Sequence, residues 1–300
     1  MSQIRKGSLP YVFIFPAAIA LIAFSIYPFI SGIWYSFTSI GWVTDTANFV
    51  GLDNYKTIFE GTVGAAKLFK EALWRSSYWT VSTVGGQFIL GMLVALILNE
   101  RFPGRGLYRV GMMVSIAMPT VILALTWQWM YDPYYGLINF FLNKLGLIEI
   151  PKIWVGQTNS ALWPLIIIAI WRGFPFMSVM LLSGLQGIPE ELYESAKVDG
   201  ANLINRFIHI TLPQLRTIIM IALMLNILWW WNHFDIVMIV GTAGAEFGYN
   251  SATIPYLAWV EAFRWSHLSR GAAISVIAML MIGLIIYWNA RRESKSVISD

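Results

Sequence analysis

Apolar residues gather in six blocks along this chain. Each is close to the ~20 residues a helix needs to cross a ~30 Å hydrocarbon layer, where every backbone polar group must be bonded internally. The blocks lie near Tyr11 to Phe37, Tyr78 to Leu98, Leu107 to Met130, Leu162 to Leu185, Gln214 to Val240 and Ala272 to Trp288. More polar stretches join them: Thr38 to Ser77, Asn99 to Gly106, Tyr131 to Ala161, Gln186 to Pro213 and Gly241 to Gly271. The pattern predicts an all-α integral membrane protein of about six transmembrane helices. With no linker, low-complexity run or short-period repeat, residues 1–300 read as one membrane domain.

Composition agrees with a chain that a bilayer covers. Hydrophobic residues make up 57% and charged residues 12%, too little charge to coat a soluble globule of 300 residues, and the mean hydropathy is +0.63. The 15 Trp and 13 Tyr suit headgroup depth, although indoles also serve inside pockets. Arg5 and Lys6, followed by an apolar run with Ala17, Ala18 and Ala20, imitate a secretory signal. That run continues to about Tyr35, far beyond the ~7 to 15 residues of a signal core, so an uncleaved first spanning helix is expected.

Charge placement sets the expected orientation. Arg101, Arg105, Arg109, Lys197, Arg206 and Arg216 concentrate in the even connections, with Arg5, Lys6, Arg291, Arg292 and Lys295 at the termini. Lys56, Lys67, Lys70, Arg75, Lys144, Lys152, Arg264 and Arg270 spread along longer loops on the other side, where the bias counts for less. Both termini and the Gln186 to Pro213 loop are therefore expected to be cytoplasmic. The net charge of +4 reads as topology, and no nucleic-acid partner is expected.

Catalytic chemistry is hard to place. Zero cysteines exclude a disulfide framework, a thiolate nucleophile and a cysteine metal site. No Lys follows a Gly, so a phosphate-cradling Walker loop is excluded, as are an HExxH helix and a calcium loop. His209, His233 and His267 lie in separate segments without ligand spacing, so no metal site is expected. No catalytic residue is assigned.

The loop before the fifth block carries two helix signatures in series. Pro189 suits a first helical position, Glu190 and Glu191 favour the positive end of a helix dipole, and Lys197 lies near the other end. Gly200 can end the turn with positive φ, Asn202 can cap a second short helix with Leu203, Phe207 and Ile210 on one stripe, and Pro213 limits its continuation. A generic amphipathic loop on lipid headgroups would prefer a Lys-rich face, which the acidic first turn does not offer.

Glu194-Ser195-Ala196, three residues, Gly200, nine residues and then Ile210-Thr211-Leu212-Pro213 resembles the EAA loop of binding-protein-dependent ABC importer permeases. Only Ser195 departs from the family's usual Ala. Further pieces resemble the carbohydrate-uptake branch: Phe49-Val-Gly-Leu-Asp-Asn-Tyr55, Leu182-Ser-Gly-Leu-Gln-Gly-Ile-Pro189, Phe234-Asp235 and Gly271-Ala-Ala-Ile-Ser275, in this order. Where many sugar permeases carry a Thr-Gly-Gly-Gly-Pro-like turn, this chain has Gly241-Thr-Ala-Gly-Ala-Glu246.

The resemblance implies a type I ABC importer permease fold in a bacterial inner membrane. It implies as partners a second permease subunit, expected to be non-identical, two ATP-binding subunits, an extracytoplasmic solute-binding protein and membrane lipid. The loop, about residues 186–213, would be the coupling helix, with Glu190, Glu191, Glu194, Ser195, Ala196, Asp199 and Gly200 as its contact residues. No cofactor is expected in this chain, since ATP and Mg would sit on the partner ATPase.

Candidate pathway residues come from polar groups at membrane depth, where charge is costly. At 1.5 Å per residue, Arg172 lies about 15 Å into the fourth block and Asp235 about 31 Å along the fifth, so a direct pair is not expected. Asn226, about 18 Å along the fifth block, could share the depth of Arg172. Arg172 either ties a carbonyl or neighbouring polar group, or faces an acidic solute. Asn226, Trp229, Trp230 and His233 combine amide edges with indole faces, which suit sugar rings but equally suit packing. Tyr256 and Trp259, with Phe263, are similar candidates in the outer segment.

The leading expectation is a carbohydrate importer permease working by alternating access. An acidic glycerol or sugar derivative on the same machine is the second, and a stand-alone secondary transporter or channel the third. A membrane enzyme is the least expected, because no paired acid and base is visible.

Overall fold

The computed structural model describes residues 9–41, 46–61, 64–155, 162–241 and 251–297. Arg5 and Lys6 and the turn residues 242–246 lie outside these. Packing divides the chain into two compact units, one formed by the residues up to Lys70 with those from Leu257 onward, the other by Glu71–Tyr256. Among the described residues the secondary structure is helical, apart from one isolated bridge between Thr38 and Phe49.

Among the described residues five helices are long and apolar enough to cross a membrane: Phe13–Tyr35, Phe69–Asn99, Leu162–Leu185, Arg216–Ile239 and Leu268–Trp288. The pair Arg105–Ala117 and Thr120–Met130 makes a sixth if taken together, and these are numbered in chain order as the first to sixth spans. The second span begins at Phe69, not at Tyr78 as hydropathy alone places it, because an Arg75–Glu71 pair at 2.6 Å extends the helix into a polar turn.

The third span is not the straight rod that its apolar block predicts. Its halves are bent by 95°, with Met118 extended at ψ 129°. Pro119 is the reason: its ring disfavours the helical conformation for the residue before it, and the first half stops at Ala117. Prolines elsewhere are absorbed differently. Pro28 and Pro213 each follow a wide π turn, Ile22–Ile26 and Phe207–Thr211, whose looser bonding accommodates the ring and the missing N–H. The helix from Leu203 therefore runs past Pro213 toward the fifth span, where the sequence predicts a stop.

In the Glu71–Tyr256 unit the second and fourth spans approach closely along small residues. A Cβ on Gly91 would stand 2.7 Å from Met177 Cγ, and one on Gly173 would collide with the Gln87 carboxamide. Such seams hold helices together in lipid, where apolar surface alone does not drive association. Met92, Ala95 and Leu98 meet Met177, Leu181, Leu182 and Leu185 there, with Leu215, just before the fifth span, and Ala222 within it completing the cluster.

The other unit shows what the Phe49 to Tyr55 segment does. Asn54 donates from Nδ2 to the carbonyls of Ser36 and Thr38, at 2.9 and 2.7 Å, and the Tyr55 hydroxyl meets Ser36 Oγ at 2.7 Å. These bonds satisfy carbonyls that the end of the first span leaves without helical partners. None of the first span's most apolar window is buried, so that helix presents its side chains outward.

Candidate functional site

The loop at 186–213 folds as its residues predict, with one shift. Its first helix is Glu190–Val198, and Pro189 is the extended residue just before it (ψ 132°) where the sequence reading put it at the first helical position. Gly200 takes φ +77°, and Ala201 N–H returns to the Ala196 carbonyl at 2.8 Å, so the helix ends on a left-handed glycine turn. The Asn202 side chain accepts from Asn205 N–H at 2.8 Å and caps the next helix, Leu203–Arg206.

A Cβ on Gly200 would meet nothing within 4 Å. The residue is therefore required by backbone conformation and not by crowding inside this chain. Glu190, Glu191, Glu194, Ser195 and Asp199 are exposed and Ala196 is half-buried. Around them stand apolar side chains open to solvent, Val198 at 88% and Leu203 at 76% exposure. Of the stripe expected on the second helix, Phe207 and Ile210 turn inward and Leu203 does not.

One side-chain contact holds the elbow. The Tyr193 hydroxyl meets the buried Thr211 Oγ1 at 2.9 Å, joining the first helix to the stalk of the fifth span. Ser195 Oγ donates to its own helix at the Glu191 carbonyl, 2.8 Å away, so the hydroxyl that replaces a methyl is satisfied locally. Neither Tyr193 nor Thr211 had been singled out in the sequence.

At the far end of the fifth span the helix Arg216–Trp231 stops at Asn232 and resumes as Asp235–Ile239. A cleft of about 530 Å³ opens there, lined by Leu225, Leu228, Trp229, Asn232, His233, Phe234 and Asp235. Trp229 (63% exposed), Asn232 and Asp235 are open to it, and His233 borders it with Nε2 buried and without a hydrogen-bond partner among the described residues. Asn232 is not among the candidates taken from the sequence.

Asn226 and Trp230 share a side of the helix with His233, as their spacing predicts, but the structure places both inside the packing. Asn226 Nδ2 donates back to the Ala222 carbonyl at 2.8 Å. Trp230 Nε1 donates to Gln87 Oε1 at 3.0 Å, Gln87 Nε2 donates to the Ala169 carbonyl at 2.8 Å, and Trp79 Nε1 donates to the Trp230 carbonyl at 3.0 Å. Tyr256 is buried too, stacked on Phe234 at 6.3 Å, while Trp259, in the other unit, is half-buried beside Phe263.

Arg172 is half-buried in the fourth span and its Nη1 donates to the Met118 carbonyl at 3.4 Å, the carbonyl tie weighed from sequence. It forms no ion pair with Asp235, as the depth reckoning held. Asp235 is nevertheless within electrostatic reach of it, at the point where the helix Arg216–Trp231 is interrupted over residues 232–234.

A second group was missed outright. Glu261 is fully buried, with Arg270 Nε at 3.4 Å and His267 Nδ1 at 3.6 Å from its Oε2. Read as a loop residue, it carried no signal in sequence. Burial and the neighbouring Arg270 hold the His267 imidazole below its ordinary pKa, against the opposing pull of Glu261.

A bent third span, an interrupted fifth span with an open cleft at its end, and a helix–glycine–helix elbow on one connecting loop fit the transmembrane subunit of a transport machine. The chain belongs to the binding-protein-dependent transport system inner membrane component family, whose model matches residues 87–293. It is a multi-pass inner-membrane permease, a transport subunit of the type I ABC importer fold. It is 35% identical over 282 residues to the trehalose/maltose transport system permease protein MalF of Thermococcus litoralis, covering 93% of this chain and 91% of that one. It is also 28% identical over 293 residues to the diacetylchitobiose uptake system permease protein DasB of Streptomyces coelicolor, covering 95% and 87%. A bacterial alginate ABC transporter, solved with a periplasmic protein bound to an alginate pentasaccharide, shares the fold at TM-score 0.78 and 21% identity, over 94% of this chain and 92% of that one.

Proposed function

We propose that this chain is the permease subunit of an ATP-driven importer that moves a carbohydrate by alternating access, with the 186–213 elbow seated in a cleft of a partner ATPase. The observation that carries the reading is the elbow itself: an exposed, acidic-headed helix, Glu190–Val198, held at a fixed angle by left-handed Gly200. A short rigid helix whose end is fixed transmits displacement, whereas a flexible loop would absorb it. Closure of two ATP-binding subunits would then swing the elbow, and Tyr193 and Thr211 would pass the motion to the fifth span. Relatives named for trehalose, maltose and diacetylchitobiose transport support a carbohydrate as the solute.

In this reading Glu190, Glu191, Glu194, Ser195, Ala196, Asp199 and Gly200 form the ATPase contact, and both termini share its cytoplasmic side. ATP and Mg belong to the partner subunits. A second, non-identical permease subunit completes the pathway, and a solute-binding protein delivers from outside. Trp229, Asn232, His233 and Asp235 offer the solute an indole face with polar edges, the combination that sugar rings take. Arg172, on which an acidic solute would depend, donates to a backbone carbonyl, so the neutral carbohydrate stands first.

Affinity purification of the chain from its native membrane, followed by uptake assays in vesicles, tests the proposal. An ATPase should copurify, and uptake of a carbohydrate should need both ATP and a binding protein. Uptake that persists without ATP and follows an ion gradient contradicts it.

A further inference from the structure

Two spans in the Glu71–Tyr256 unit are interrupted, and one side chain stands between the interruptions. The third span breaks at Met118 and Pro119, the fifth at residues 232–234. Met118 ends the Arg105–Ala117 helix, where carbonyls lack helical partners and a cation is favoured, and the Arg172 guanidinium donates there. Asp235 is the first residue of Asp235–Ile239, at the end where an acid is favoured, and lies within electrostatic reach of Arg172.

Packing ties the same three elements. Ile236 and Val237 are fully buried, and their helix packs on Thr120–Met130 and on the fourth span. The fourth span in turn holds Thr120–Met130 through Trp171 on Trp127, with ring centres 5.9 Å apart, and through the Tyr131 hydroxyl on the Pro164 carbonyl at 3.1 Å. A span bent by 95° has little internal bonding to resist rotation at its break, so its geometry depends on what holds the loose carbonyl.

We propose that Arg172 is a positioning residue for transport: bonded to the Met118 carbonyl at the break of the third span, from the fourth span on which the fifth span's last helix packs, it makes the two broken spans move as one body. It does not touch the solute. This rests on the importer reading above, because the joint matters only where the spans alternate between two arrangements.

The test uses the whole importer in proteoliposomes. The permease carries Arg172→Met, Arg172→Lys or Asp235→Asn, and spin labels at Val121→Cys and Ile239→Cys, in a chain with no native cysteine. In the unsubstituted importer the distance between labels should stay constant when ATP is trapped, and a distance that changes overturns the proposal. Arg172→Met should lower the maximal uptake rate by about tenfold or more with KM within about twofold, and broaden the label distance, while Arg172→Lys recovers most of the rate. An unchanged maximal rate overturns the proposal. So does a raised KM at full rate, which would put the guanidinium on the solute. Should Arg172→Met fail to assemble, the exposed, isosteric Asp235→Asn decides by the label distance, because Asp235 also borders the cleft: a broadened distance supports the joint, and a native distance overturns it. Uptake by the unsubstituted importer without ATP contradicts the importer reading alone, since the label distance still reports on the joint.

Discussion

Trp230 Nε1 donates to Gln87 Oε1 at 3.0 Å, and this bond closes a chain that runs from Trp79 through the Trp230 backbone to Gln87 and the Ala169 carbonyl. An indole that could have stacked on a sugar is instead a crosspiece between the second, fourth and fifth spans. Its neighbour Trp229 faces the cleft. The two side chains make opposite predictions.

Gln87→Leu leaves the Trp230 indole N–H without its partner in the packed interior and removes the tie to the Ala169 carbonyl. It should lower thermal stability in detergent by an amount equivalent to about 1–3 kcal/mol, with KM for the solute little changed in whatever protein remains folded. Trp229→Ala removes no buried contact and should alter KM at native stability.

Ser195→Ala restores the residue usual in resembling loops. Because the hydroxyl donates only to its own helix, uptake and stability should stay close to native, within about twofold in rate. A large change in coupling would show that the hydroxyl reaches a partner.

Tyr193→Phe removes the only side-chain hydrogen bond that the structure gives between the Glu190–Val198 helix and Thr211. Loss of one such bond is worth about 0.5–1.5 kcal/mol, enough to loosen the elbow without unfolding the chain. Uptake should fall several-fold while the complex still copurifies, and ATP hydrolysis should become less dependent on the solute-binding protein.

The Glu261, Arg270 and His267 cluster gives stability a pH dependence. The His267 pKa is held below its usual 6.5 in the folded chain, so as pH falls past that value the unfolded chain takes up the proton more readily. Stability contributed by this group is present above about pH 6.5 and is lost below it. Melting temperatures recorded across pH 5 to 8, about the range in which histidine titrates, should decline on the acid side, and His267→Gln should flatten the decline.

Much of this was legible in sequence for definite reasons. Apolar block length gives the spans because lipid admits few alternatives to a helix. Gly200 and Asn202 could be read because each residue type has one strong conformational use at a helix end. The third span's bend was missed although Pro119 marks it, because hydropathy sums over a proline without registering it. The roles of Trp229 and Trp230 could not be separated by residue type. Only the positions of Gln87 and Trp79, distant in sequence, decide which indole packs. Glu261 was invisible because its burial depends on Arg270 and His267 and on no local pattern.

Gly200→Val tests the central claim most directly, since the chain itself leaves room for the side chain and only the +77° backbone and a partner surface can object to it. The variant should insert in the membrane and keep its melting temperature within a few degrees, because the elbow contributes no core contact there, while ATP-driven uptake falls to background. Native uptake by an inserted Gly200→Val permease would contradict the coupling assignment.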